Sequence, residues 1–212
     1  MPLIFKEKLE EDCLMGIWEI REAYEDLFEQ VHLFPGEREK VFGFQSEARK
    51  TEFLSVRMLL KTLIGTFGPI IYNDRNKPFL LHSEYRISVS HSQKLTAIML
   101  SKTKKIGVDL EYMSHKIGKI EHKFINEHEV ITTDQLKRDY HLYIHWCAKE
   151  SLYKVCDKQD INFKKNLTIE PFEPKEYGVI VGWVDNIHWH DKFELRYFTI
   201  NNYVVAYCCK NI

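Results

Sequence analysis

The sequence predicts an α+β protein built as two similar α/β halves, on three observations. Two long stretches, 46–65 and 134–154, carry apolar residues at helical spacing. Short segments around them alternate apolar and polar residues, the period of a strand. The hairpin pattern of Tyr85 to Leu100 then returns in Phe193 to Cys209, which agrees with a duplicated half. A short basic linker, Ser101-Lys102-Thr103-Lys104-Lys105, separates the two, so the halves are placed at 1–103 and 104–212.

Along the first half, Leu14 to Trp18 reads as a strand or the start of a helix. Trp18 to Val31 reads as a helix through Ile20, Tyr24, Leu27, Phe28 and Val31. Its carboxylates read as a solvated face, and Phe34-Pro35-Gly36 ends it. Glu37 to Gly65 is expected to be mostly helical, with Phe53, Leu54, Val56, Leu59, Leu60 and Leu63 on one face and Gly65 at the C-terminal end. Arg49, Lys50 and Arg57 form a cationic row beside that face. Ile70-Ile71-Tyr72 is a short strand. Asn73 to Pro78 is a turn in which Asn76 can take a left-handed backbone and Lys77 projects outward. Tyr85 to Ser92 is a strand ending in Ser90-His91-Ser92, with Leu95 to Leu100 as its partner. A serine beside a histidine invites a hydrolase reading. Adjacent strand residues face opposite ways, however, and no Gly-x-Ser-x-Gly elbow is present.

In the second half, Ile106 to Glu111 is a strand that ends on two carboxylates. Met113 to Val130 is expected to include a helix carrying Lys116, Lys119, His122 and Lys123, followed by an acidic turn. Asp134 to Lys154 is a long helix. The remainder is β-rich, with strands near Leu167–Ile169, Tyr177–Trp183, Phe193–Ile200 and Tyr203–Cys209. Asn201-Asn202 is a tight turn and His188-Trp189-His190 a structural loop.

Composition narrows the function classes. Apolar residues at 44% and charged residues at 29% describe an ordinary globular chain. A net charge of −1 gives no support to nucleic-acid binding. No apolar run approaches a membrane span, and the N-terminus lacks the pattern of a signal peptide. The five cysteines include no C-x-x-C and read as reduced thiols, so a cytoplasmic protein is expected.

The chemistry is concentrated in two stretches. In Ile106-Gly107-Val108-Asp109-Leu110-Glu111, alternate positions share a face, so Asp109 and Glu111 converge. In Trp146-Cys147-Ala148-Lys149-Glu150-Ser151-Leu152-Tyr153-Lys154, Trp146, Glu150 and Lys154 recur at i, i+4 and i+8 on one helix face. Taken alone, the helix reads most simply as amphipathic with a surface ion pair. With Asp109 and Glu111, Glu150 supplies a third oxygen ligand, a set that suits magnesium bound to a phosphate. The pair His141 and His145 has zinc-ligand spacing but lacks a His-Glu-x-x-His glutamate and a third ligand, so zinc is not expected.

These two stretches, in this order, resemble the signatures of 4′-phosphopantetheinyl transferases, and the chain's length resembles the single-chain, surfactin-synthetase-activating type. The resemblance runs by motif over about residues 40 to 155, where Val56 to Leu60, Asn76-Lys77-Pro78 and Ile87 to Ser92 add to it. It implies two halves related by pseudo-twofold symmetry with the active site in the cleft between them, and a monomer. It implies transfer of the phosphopantetheine arm of coenzyme A to a serine of an acidic apo acyl or peptidyl carrier protein, with release of 3′,5′-ADP. Asp109, Glu111 and Glu150 would hold Mg2+, for which Mn2+ may substitute in the family. Glu150 and Lys154 would be catalytic. Arg49, Lys50, Arg57, Lys77, Ser90, His91, Asp109 and Lys154 would contact coenzyme A. Cys147 stands where the family has a small Ser, Thr or Ala. The residues alone leave open another magnesium-dependent phosphoryl-transfer enzyme, or a binding protein of the same fold.

Overall fold

The computed structural model describes residues 2–156, 160–187 and 190–211; His188 and Trp189 of the expected loop lie outside them. The chain divides into two compact units, Met1–Lys104 and Lys105–Ile212. Each pairs an antiparallel hairpin sheet with one long helix, an α+β arrangement.

The first unit opens with strands β1 (Leu3–Glu10) and β2 (Cys13–Glu19), then helices α1 (Tyr24–Gln30), α2 (Pro35–Gly43) and α3 (Glu47–Ile64). Strands β3 (Ile70–Tyr72) and β4 (Pro78–Leu80) form a small hairpin, and β5 (Arg86–Ser92) and β6 (Leu95–Ser101) complete a sheet of order β1-β2-β6-β5. Val56, Leu59, Leu60 and Leu63 of α3 pack on Trp18, Ile98 and Leu100. The approach is close: a Cβ at Gly16 of β2 would stand 2.7 Å from a Leu63 methyl carbon. Gly65 ends α3 at φ 81°, a left-handed cap that costs glycine little.

Three expectations change here. Trp18 belongs to β2, which pairs on both sides and is buried almost throughout, so its apolar run has no strand alternation to reveal it. β1 was not foreseen because Lys6, Glu7 and Lys8 give it a polar, exposed middle, a common defence of an edge strand. The helical region from Glu37 is two helices separated at residues 44–46. The basic linker at Ser101 to Lys105 is a tight connection. Asp12 accepts bonds from Ser101 Oγ, Lys102 N, Thr103 N and Thr103 Oγ1 at 2.7–2.9 Å, and these bonds hold its carboxyl down at about 2.

The second unit begins with β7 (Lys104–Tyr112), whose first residue closes the first unit. Two short 3-10 turns, Ile117–Lys119 and Glu121–Lys123, replace the expected helix of residues 113–130. Helix α4 (Gln135–Val155) follows; the Asp134 side chain accepts from Leu136 N at its start. The short α5 (Phe163–Asn166) leads into β8 (Leu167–Ile169), β9 (Tyr177–Asp185), β10 (His190–Ile200) and β11 (Tyr203–Asn211). The sheet order is β7-β11-β10-β9-β8, so the first strand of the unit lies beside the last. Leu142, Cys147, Ala148, Leu152 and Val155 of α4 face Val204, Ala206 and Leu195 in one apolar core. Among the described residues, no helix is long and apolar enough to cross a membrane, and no disulfide joins the five cysteines.

Candidate active site

The seating of α4 on the sheet decides where its polar face points. A Cβ at Gly107 of β7 would fall 2.1 Å from the Ser151 carbonyl oxygen, so only glycine lets the helix backbone lie this close. Ser151 Oγ donates to Ala206 O at 2.8 Å, and Cys147 Sγ lies 3.6 Å from Val204 O. Two side chains one turn apart thus tie α4 to β11, the neighbour of β7.

With the helix seated in this way, its outer face meets the end of β7. Lys154 Nζ donates to Asp109 Oδ1 at 2.7 Å and to Val108 O at 2.8 Å. Trp146 Nε1 donates to Glu111 Oε1 at 3.4 Å. Glu150 lies on the same helix face, one turn from Trp146 and one from Lys154. Asp109 is buried, only 4% exposed, whereas Glu111 and Glu150 are half-buried. The donor types fit a hard divalent cation: Asp109, Glu111 and Glu150 are all carboxylates, and the Cys147 thiol stays protonated. Burial, then the charges of Asp109 and Glu111, push the Cys147 thiol well up.

Trp146 is held in place by rings. Phe124 meets it edge-on at 5.2 Å between centroids and Phe163 lies tilted at 5.5 Å. Its role in orienting Glu111 was not read from the sequence. Lys149, next to Glu150, is fully buried and points the other way. It donates to Glu129 Oε2 at 2.7 Å, to Phe163 O at 3.2 Å and to Phe124 O. Glu129 in turn accepts from Asn126 N and Ile169 N. This buried pair fastens the 113–130 segment to α4. The signal for it was present: Leu142, His145, Lys149 and Leu152 form one helical row, and its other members are buried.

His141 and His145 also face inward. Thr132 N donates to His141 Nδ1 and His145 Nδ1 donates to His141 O, while Phe172 stacks on His145. The proton of neutral His141 therefore sits on Nε2, which is not the arrangement of a metal ligand there.

In the first unit, two of the residues expected to contact coenzyme A meet. Arg49 Nη1 lies 2.7 Å from His91 Nε2 and donates to Glu52 Oε2 at 2.8 Å. The N-terminal turns of α3 and the end of β5 thus meet in a cluster of Arg49, Glu52 and His91. Ser90, one residue earlier on β5, is buried. Lys50 turns away to the Tyr24 ring, 5.5 Å from its centroid. Lys77 follows a turn in which Asn73 Oδ1 accepts from Arg75 N and Lys77 N and Asn76 takes φ 57°, the left-handed backbone read from the sequence.

Arg57 departs from its expected role. It is 1% exposed, stacks on Phe53, and holds Glu37 at 3.0 Å through Nε and 2.9 Å through Nη2. Glu37 also accepts from Phe34 N and Ile70 N, so the pair joins α2, α3 and β3. A guanidinium committed in this way is structural. Spacing placed it beside the apolar face, and neither its inward turn nor its buried partner followed from that.

No curated protein matches the chain. Residues 105–208, which contain α4, Asp109, Glu111 and the contacts described between them, match the family model of the 4′-phosphopantetheinyl transferase superfamily.

Proposed function

We propose that this protein is a 4′-phosphopantetheinyl transferase of the single-chain, surfactin-synthetase-activating type. Its donor would be coenzyme A and its acceptor a serine of an acidic apo carrier protein. The observation that carries the reading is the joining of two distant motifs by Lys154 and Asp109 inside the matched segment.

In this reading the carrier serine oxygen forms a bond to the β-phosphorus of coenzyme A. The bond from that phosphorus to the bridging oxygen breaks, and 3′,5′-ADP leaves with the electron pair. Glu150, directly or through a water, takes the serine proton. Lys154 stabilises negative charge on the pyrophosphate, held at the edge of the site by Asp109. Asp109, Glu111 and Glu150 would hold Mg2+, which when bound neutralises charge on the phosphates. Arg49 and His91, with Lys77, Lys50 and Ser90 from the same unit, are proposed to contact the nucleotide phosphates.

The test is the intact mass of an apo acyl carrier protein incubated with this protein, coenzyme A and Mg2+, alongside an EDTA control. A gain of one phosphopantetheine group, absent with EDTA, is expected. Hydrolysis of coenzyme A without modification of any carrier would favour a different phosphoryl-transfer enzyme. Binding of coenzyme A with no turnover on a panel of carriers would favour a binding protein.

A further inference from the structure

Glu52 is an acid placed where an anion site needs bases. It follows Arg49 by one turn of α3 and accepts from Arg49 Nη1 at 2.8 Å, while the same nitrogen lies 2.7 Å from His91 Nε2 on β5. A guanidinium only donates, so His91 Nε2 is the acceptor in that contact. The proton of a neutral His91 then sits on Nδ1, and Nδ1 lies 3.6 Å from Glu52 Oε2, within ion-pair range. Both contacts of Arg49 use Nη1, which leaves its other three N–H groups without a hydrogen-bond partner among the described residues. We propose that Glu52 is a positioning residue, the counter-charge that lets His91 take up a proton when a phosphate group binds, so that the ligand meets two cations.

The fold fixes where Glu52 stands. Ser55 Oγ donates to Glu52 O at 2.8 Å and so accepts from Thr96 Oγ1 at 2.7 Å. Ser55 and Thr96 are fully buried, and Thr96 faces His91 across the β5–β6 ladder. The turn of α3 that carries Glu52 is thus tied to the strand pair that carries His91. Paired with Arg49 alone, Glu52 would only offset the charge that an anion needs. The imidazole changes that balance. With His91 neutral, the formal charges of Arg49 and Glu52 cancel. With His91 protonated the cluster has one net positive charge, and Nε2 becomes a donor. A phosphate dianion competes for Arg49 and frees Nε2, while Nδ1–H keeps Glu52 as its counter-charge. The charged groups facing His91 are Arg49 and Glu52 of α3. Thr96 on β6 is uncharged, and Lys94 lies exposed in the turn that joins the two strands.

The inference rests on the reading that this surface binds the nucleotide phosphates, and the test separates the two. Binding of 3′,5′-ADP to the whole protein is measured calorimetrically in buffers of different ionisation enthalpy, across a series of pH values from about 7.5 upward, where phosphate monoesters are fully ionised. The proteins are the wild type, Glu52→Gln, His91→Gln and Arg49→Ala. At about pH 8, where a free imidazole is neutral, the wild type is expected to take up close to one proton per ligand and His91→Gln none. In Glu52→Gln the pH at which half of the uptake is lost is expected to fall by about one unit or more, the effect of removing an adjacent carboxylate. Repulsion between Glu52 and the ligand also acts on affinity, so the proton count is the readout, and a merely structural role for Glu52 would not move it. No uptake by the wild type, uptake that survives in His91→Gln, or an unmoved midpoint in Glu52→Gln overturns the proposal and leaves the binding surface standing. A wild type that binds no 3′,5′-ADP, or wild-type affinity in both His91→Gln and Arg49→Ala, overturns the phosphate-binding reading and this inference with it.

Discussion

Lys154 Nζ and Asp109 Oδ1 lie 2.7 Å apart, with their side chains 16% and 5% exposed. The pair joins the last turns of α4 to the end of β7. A partly buried ion pair of this kind contributes more when one partner is removed than its net strength suggests, because the other charge is stranded. Lys154→Met is therefore expected to lower both stability and turnover. Loss of a cation from the developing charge costs about 10²–10³-fold in rate. Activity on a carrier protein, measured beside a denaturant melt, checks both. A stable variant with full activity would remove Lys154 from the chemistry.

Glu150 differs from Lys154 in what surrounds it. It is half-buried on the outer face of α4, and packing beneath that face comes from Trp146 and its aromatic neighbours. Glu150→Gln keeps volume and hydrogen-bonding capacity and removes the charge. The variant is expected to melt within about 0.5 kcal/mol of wild type, as most substitutions outside a core do, and to lose about 10²–10⁴-fold in turnover, the range for a general base. Single-turnover kinetics with a saturating carrier would show this. Normal turnover would leave proton removal to another group.

Arg57 and Arg49 occupy the same helix two turns apart and are expected to fail in opposite ways. Arg57→Ala leaves Glu37 buried with its main-chain partners and no counter-charge, which costs about 3–5 kcal/mol. Among molecules that remain folded, its affinity for coenzyme A should be unchanged. Arg49 is exposed and bonded to Glu52 and His91, so Arg49→Ala should alter stability by less than about 1 kcal/mol and weaken coenzyme A binding. Calorimetric titration with coenzyme A, paired with urea melts, separates the two. Weaker ligand binding in folded Arg57→Ala would return that residue to the binding surface.

These contrasts show where the sequence could be read and where it could not. The strand holding Asp109 and Glu111 and the helix holding Glu150 and Lys154 were legible because each carries a period, and their meeting was implied by a resemblance between spaced motifs. The inward turn of Arg57 was not legible. A cation beside an apolar row is compatible with solvent or with a buried acid, and the acid, Glu37, comes from another helix. For Lys149 the helical row pointed inward, but its acid, Glu129, lies twenty residues earlier and was not legible. β2 was read as a strand or the start of a helix, because a strand buried on both faces has no alternation to decide between them. Gly107 was legible as part of a motif, but its cause is the Ser151 carbonyl resting on it, a tertiary contact.

Acid sensitivity supplies the last prediction. His145 is completely buried, and that burial above all holds its imidazole down at about 3, with the charges of His141 and Lys149 adding to the effect and its bond to His141 O opposing it. Burial lowers His141 as well, against the pull of Glu173. In the unfolded chain a histidine takes up its proton near pH 6.5. Below that pH the unfolded state binds a proton that folded His145 refuses, so stability is fully present above about 6.5 and falls as pH drops towards the folded value. Between pH 7 and pH 5 the loss from His145 alone is about 2 kcal/mol. Urea melts across that range should show it as a falling midpoint with an unchanged slope. His145→Gln can still donate to His141 O and carries no titrating group, so it is expected to flatten the pH dependence even if its stability at pH 7 is lower. A variant that loses stability with acid as steeply as the wild type would place the titrating group elsewhere.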